Sequence, residues 1–176
     1  MIILELKFAK ALAEESAKIA CNLLEIEYID THFINGNKFE NDNVSSTFDR
    51  YLYVVKFNID WLLKASEKDI ILTAYYQVRQ GYQQTQIEFR QQLISAGVFV
   101  EPIEKVRIWE DEFSYYTEPT GDEKNDSDYM SLDTVVDGVS FACVLYKNQH
   151  EKDTEIPDVI VDRVNERIKE IINNHF

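Results

Sequence analysis

A long amphipathic helix with one apolar face and one polar, uncharged face is the feature that most constrains this chain. Ser66-Glu67-Lys68-Asp69 has the form of a capping box, which marks the start of a helix. Apolar residues then return at three- and four-residue steps and share one face of a helix over about 69–87: Ile71, Tyr75, Val78 and Tyr82. Seven glutamines lie between positions 77 and 92. Because the apolar period persists among them, we expect an ordered helix rather than a low-complexity tract.

The remaining pattern predicts one mostly helical α+β domain over residues 1–176. Helical periods of apolar residues predict further helices over 5–24, 103–113 and 132–147, and a last helix with the seam Ile160, Val164, Ile168 and Ile171. Strand-like stretches, rich in β-branched and aromatic residues, are 26–29, 32–34 and 51–57. Polar stretches predict exposed loops over 38–47 and 117–128, and Asn35-Gly36-Asn37 predicts a turn. We expect a small antiparallel sheet packed on a helical body.

The charge of the chain is strongly negative and concentrated in one region. There are 32 acidic and 18 basic residues, which give a net charge of −14. Between Glu101 and Asp137 lie twelve acidic and three basic residues, so this region holds nine of the fourteen excess negative charges. Such a field disfavours direct binding of nucleic acid and attracts a basic partner. The alternative is a solvated acidic surface that aids solubility.

Tyrosines accompany these acids, and interfaces are enriched in tyrosine. We therefore expect a partner-binding face in this region, with a basic protein as the partner. Its candidate residues are Glu110, Asp111, Tyr115, Tyr116, Asp122, Glu123, Asp126 and Asp128.

The sequence offers poor material for a metal site, and no cofactor is expected. The three histidines, His32, His150 and His175, are far apart, and no two share a helical turn. Cys21 and Cys143 lie among apolar neighbours and are expected to be buried thiols. A calcium or magnesium site among the acids at 122–128 has only a weak Asp-x-Asp signal, and an exposed loop is the favoured interpretation.

Several blocks of residues carry a resemblance to a known family. They are Asn58 and Trp61, then Arg79, Tyr82 and Gln83 on the long helix, then Trp109, Glu112 and Phe113, and last 135–142, Val-Val-Asp-Gly-Val-Ser-Phe-Ala. Over about residues 50–170 the chain resembles a family of small predicted zinc metallopeptidases of Gram-positive bacteria and their mobile elements. That family carries His-Glu-x-x-His on the corresponding helix.

The resemblance implies a zincin-like scaffold that has lost its chemistry. Tyr76 and Gln80 stand where the two histidine ligands would be, Gln77 where the general base would be, and Val135 at the third ligand position. Neither an amide nor a valine can do that work. Arg79 matches a retained position, and we expect it to form a structural ion pair with Asp137 or with Glu112.

These features together predict a non-catalytic binding or inhibitor protein. Its most concrete form is a phage or mobile-element anti-CRISPR protein that occupies the basic nucleic-acid surface of an RNA-guided nuclease, as a DNA mimic would. The alternatives are a hydrolase with residual or altered activity, and a structural or regulatory adaptor domain. No apolar run is long enough to span a bilayer and no signal peptide is recognised, so we expect no membrane partner and a cytoplasmic location in the bacterial host cell.

Overall fold

The computed structural model describes residues 5–39, 44–101, 103–115 and 123–176, without the side chains of 123–125. Within these ranges the chain forms helices and strands in the following order: α1 Leu6–Leu24, β1 Asp30–Ile34, β2 Ser46–Asp49, β3 Val54–Asn58, α2 Ile59–Leu62, α3 Glu67–Ser95, α4 Glu104–Ser114, α5 Glu123–Met130, α6 Asp133–His150 and α7 Val161–His175. Short 3₁₀ turns lie at Gly36–Lys38 and Asp158–Ile160. The α+β class is therefore confirmed.

The three strands form a mixed sheet, so the prediction of an antiparallel sheet is wrong for one of its two pairings. The strand order is β1-β3-β2. The outer strand β2 pairs antiparallel with β3, but β1 pairs parallel with it, with Asp30 opposite Val54. The central position of β3 explains its composition, since Val55 and Phe57 are fully buried.

Two predicted strand boundaries also need correction. The stretch 26–29 is not a strand, and β1 begins only at Asp30. The strand predicted over 51–57 starts late, because the carboxylate of Asp49 accepts hydrogen bonds from the amides of Tyr51 and Leu52, both at 3.0 Å. This turn leaves Tyr51 95% exposed and puts Tyr53 in the left-handed region at φ 54°.

Helix α3 is the central element and begins where the capping box predicts. The amide of Asp69 donates to Ser66 Oγ at 3.2 Å, and the hydroxyl of Ser66 donates to the Asp69 carboxylate at 2.7 Å. One face of α3 packs on α1 through small residues of α1 that are almost fully buried: Ala9, Ala13, Ala17 and Ala20. Burial in this core raises the pKa of Tyr75 to about 12.

The remaining helices attach to α3 and α6. A small cluster of Ile87, Val106, Trp109 and Phe113 joins α4 to α3. Helix α6 packs against α3. The predicted seam of the last helix is confirmed, since Ile160, Val164 and Ile171 are buried and Ile168 packs against the core. Over the described ranges, no helix is both long and apolar enough to cross a membrane.

Candidate functional site

The polar face of α3 meets α6 at a completely buried carboxylate, Asp137. The guanidinium of Arg79 donates to it through Nε at 2.7 Å and Nη2 at 3.2 Å. Gln83 Nε2 donates at 2.8 Å, and Arg167 Nη1 of α7 donates at 3.1 Å. Burial by itself raises the pKa of Asp137, but the charges of Arg79 and Arg167 and the hydrogen bonds from Arg79 and Gln83 together hold that pKa below its usual value.

Helix α7 adds two more contacts to this network, a second one from Arg167 and one from His175. Arg167 also donates to Asp133 at 2.8 Å, so one guanidinium connects two acids of α6. His175 Nε2 lies 3.3 Å from Arg79 Nη1, and the guanidinium lies over the rings of Tyr82 and Phe141. Burial and the charge of Arg79 lower the pKa of His175. The neutral imidazole can accept a hydrogen bond from Arg79, whereas a protonated one cannot.

The ion pair between Arg79 and Asp137 is thus present, while its alternative with Glu112 does not form. Glu112 instead accepts hydrogen bonds from the amides of Asp133 and Thr134, at 2.7 and 2.8 Å. These are the first two amides of α6, whose N-cap residue, Leu132, provides no side-chain hydrogen bond. A carboxylate from α4 therefore caps α6 from outside, where the helix dipole favours negative charge.

The residues at the three α3 positions that match the ligands and the base of the resembled family contact one another and neighbouring elements. The hydroxyls of Tyr76 and Tyr129 are 3.0 Å apart, and Gln80 Nε2 donates to Tyr76 at 3.1 Å. Gln77 Nε2 donates to Ser46 Oγ of β2 at 2.9 Å and to the Ser46 carbonyl at 3.3 Å. Both glutamines are buried.

Helix α6 comes close to this face because of a glycine. A Cβ atom built at Gly138 would lie 2.7 Å from the ring of Tyr76, so a larger residue there would push the ring away. Val135, which matches the third ligand position of the resembled family, is 1% exposed and belongs to the apolar core. Among the side chains that the structure describes, no three His, Cys, Asp or Glu residues are grouped as a metal site.

Two cavities lie beside the polar face of α3. The larger, of about 440 Å³, is bounded by β2, α3, α5 and α6, and we call it the α6 cavity. The smaller, of about 240 Å³, lies between the β2–β3 turn and α3 and includes Arg50, Lys56 and Phe113. Gln77 borders both cavities. Such volumes lie near the lower end of the range for small-ligand pockets, which starts at about 300 Å³.

The structure divides the expected partner-binding residues into several groups. Glu110 is bound internally, since it accepts from Arg90 Nη1 at 2.8 Å and Gln91 Nε2 at 2.7 Å. Asp126 is half-buried at the wall of the α6 cavity. Glu123 is the first residue of α5, and Tyr116 and Asp122 lie outside the described residues.

The exposed members of that set surround a third cavity. Asp111 and Asp128 are exposed, and Tyr115 is 86% exposed. Together with Glu112, Tyr129 and Leu132 they line a cavity of about 350 Å³, which we call the Tyr115 cavity. Pairing within the fold reduces the acidic field of residues 101–137, because at least five of its described acids have internal partners: Glu104, Glu110, Glu112, Asp133 and Asp137.

Sequence reasoning missed the contribution of α7 to the buried network. The available signal was the position of Arg167, which shares a helix face with Val164 and Ile171 on the apolar seam. A cation on such a seam needs an acidic partner across the interface. Both cysteines are buried, as predicted.

The chain matches no protein-family model, no curated protein and no solved structure. Its relation to zinc metallopeptidases therefore stays a prediction.

Proposed function

We propose that this chain is a non-catalytic binding protein that engages a basic partner through the surface around the Tyr115 cavity. The observation that carries the proposal is the position of Tyr115, 86% exposed on the same cavity as the exposed acids Asp111 and Asp128. No ion pair joins either acid to another residue of the described ranges. An exposed aromatic ring beside carboxylates is suited to the aliphatic stems and cationic ends of Arg and Lys.

Support for a non-catalytic role comes from the polar face of α3. Tyr76, Gln77 and Gln80 are held by hydrogen bonds to one another, to α5 and to β2. A phenol and two amides engaged in this way have no proton acceptor of suitable basicity to activate water at neutral pH. The face therefore works as packing between elements.

The most concrete partner is an RNA-guided nuclease, for which this chain would be an anti-CRISPR protein. Such an enzyme holds its guide–target duplex in a positively charged channel and reads a short motif with arginines. Carboxylates compete for those arginines in the way that phosphates do. Acids at Asp111 and Asp128 and the net charge of −14 agree with this partner chemistry.

The test is displacement of a labelled target DNA from guide-loaded nucleases, followed by fluorescence anisotropy. We expect the protein to displace the DNA, and displacement to weaken at about 0.5 M salt, where the Debye length is about 4 Å. The variant Asp111→Lys/Asp128→Lys should displace poorly. Tyr115→Ala should cost about 2 kcal/mol, or roughly thirtyfold in Kd, if the ring is an anchor.

A matched control changes the same charge on another surface. Asp162 and Glu166 are exposed on α7, and Asp162→Lys/Glu166→Lys should displace DNA nearly as well as the unchanged protein. An equal loss of DNA displacement in both double variants would mean that displacement depends only on the net charge of the protein. Undiminished displacement by a folded Asp111→Lys/Asp128→Lys variant would remove this surface from the proposal.

A further inference from the structure

The α6 cavity combines an apolar floor with an acidic rim. Leu72 of α3 and Val139 and Ala142 of α6 are among the apolar residues that line it. Asp126 of α5 and Glu155, in the segment after α6, supply two carboxylates. No basic side chain is among the described residues that line it, so the nearest fixed charges of the lining are both negative.

An amide oxygen that borders the same cavity has no donor among the described residues. Gln77 is only 7% exposed and uses its Nε2 group to hold Ser46. Its Oε1 atom accepts no hydrogen bond from any residue in the described part of the chain. An amide oxygen without a donor on a cavity wall favours an occupant that brings an N–H or O–H group.

We propose that the α6 cavity binds an aliphatic chain that ends in an ammonium group, as a lysine side chain does. The methylene stem would contact the apolar floor, and the ammonium would lie near the acidic rim and the Gln77 oxygen. Lysine fits better than arginine, because the acceptors come from three separate segments. An ammonium directs three donors to separate points, whereas a guanidinium needs two acceptors side by side in one plane.

This inference rests on the proposed function, since a basic partner would supply the lysine. The two surfaces are neighbours, because Tyr129 borders both the α6 cavity and the Tyr115 cavity. One extended basic segment could therefore occupy both. A free aliphatic amine would offer the same chemistry from a second source.

The test uses three small probes and amide chemical shifts of the ¹⁵N-labelled protein. The probes are Nα-acetyl-lysine methylamide, the uncharged norleucine analogue and cadaverine. We expect saturable shifts at residues lining the α6 cavity with the lysine probe and much weaker ones with norleucine. Tighter binding of cadaverine than of the lysine probe would identify a free amine as the source of the ammonium group. Absence of saturable shifts with both amines, or equal binding of norleucine, would overturn the proposal.

Two variants and one control complete the design. Glu155→Gln removes one rim charge in an exposed position and should weaken the lysine probe by about threefold. Thr73→Trp, at a half-buried position of the wall, should block the probe while the circular dichroism spectrum stays unchanged. Glu151→Gln changes the same charge at an exposed residue outside the lining and should leave binding unaltered.

The design separates this inference from the function on which it rests. Should Asp111→Lys/Asp128→Lys abolish DNA displacement while Thr73→Trp binds the lysine probe normally, the proposed function stands and the α6 cavity proposal fails. Should lysine binding depend on Glu155 while the protein displaces DNA from no nuclease, the α6 cavity proposal stands and the proposed function fails.

Discussion

Removing the Arg79 side chain tests whether the buried network holds the domain together. In Arg79→Ala, Asp137 keeps two of its four hydrogen bonds, those from Gln83 and Arg167. The carboxylate stays completely buried, so its desolvation is no longer balanced. Breaking a buried pair from one side costs about 3–5 kcal/mol. For a chain of this length that corresponds to a fall in Tm of roughly 10 °C.

The assay is urea unfolding followed by circular dichroism at pH 7. Arg107→Ala is the matched control, because Arg107 pairs with Glu104 at 3.2 Å on the exposed side of α4 and should change stability by less than about 0.5 kcal/mol. The direction in which stability changes with pH follows from the lowered pKa of Asp137. The contribution of ionised Asp137 to the free energy of unfolding is present above the ordinary carboxyl pKa of 3.8. It is lost as the pH falls through the lower pKa of the folded state. A loss below about 1 kcal/mol in Arg79→Ala would refute the scaffold role.

Three other measurements test residues of α3, α4 and α7 that hold neighbouring elements together. Glu112→Gln should lower the free energy of unfolding, measured in urea, by about 1 kcal/mol, because an amide side chain has only one oxygen for the two backbone amides at the start of α6. An unchanged urea midpoint would contradict the capping role. The lowered pKa of His175 means that the unfolded chain binds the proton more readily, so stability should fall as the pH drops from 7 through 6.5. His175→Gln should flatten that part of the stability–pH profile. Equal slopes in both proteins would exclude His175 as the cause. Gln77→Glu should restore no peptidase activity, because the base has no metal-activated water to act on. It should destabilise the fold by about 1–3 kcal/mol, since its carboxylate faces the Ser46 carbonyl. Peptide hydrolysis by this variant would rule out the pseudoenzyme interpretation.

Local signals predicted the helices well. The Ser66 cap and the seam through Val164 and Ile171 depend on side chains a few residues apart, and the structure contains both. The start of β3 was predicted too early, because strand propensity at Tyr51 competes with a side-chain turn set by Asp49. The parallel pairing of β1 could not be predicted, because β1 pairs with β3 and not with the next strand in sequence, and local signals do not set the relative direction of such a pair.

The site was harder to predict because polarity does not determine burial. Gln77 and Gln83 are as polar in sequence as exposed glutamines, but their partners lie 31 and 54 residues away. Charge counting met the same limit. Glu110 contributes to the acidic total of its region, although Arg90 neutralises it from a neighbouring helix. Long-range pairing decides which acids remain for a partner.

The carboxylate of Asp137 has a consequence for how the domain folds. Its donors come from α3 and α7, with Arg79 separated from it by 58 residues and Arg167 by 30. Neither helix can approach α6 closely without burying that charge, and two helices alone leave it short of donors. Docking of the three helices should therefore be cooperative, with no stable intermediate in which one of them is detached. The high sequence separation of these contacts would also slow the step that forms them.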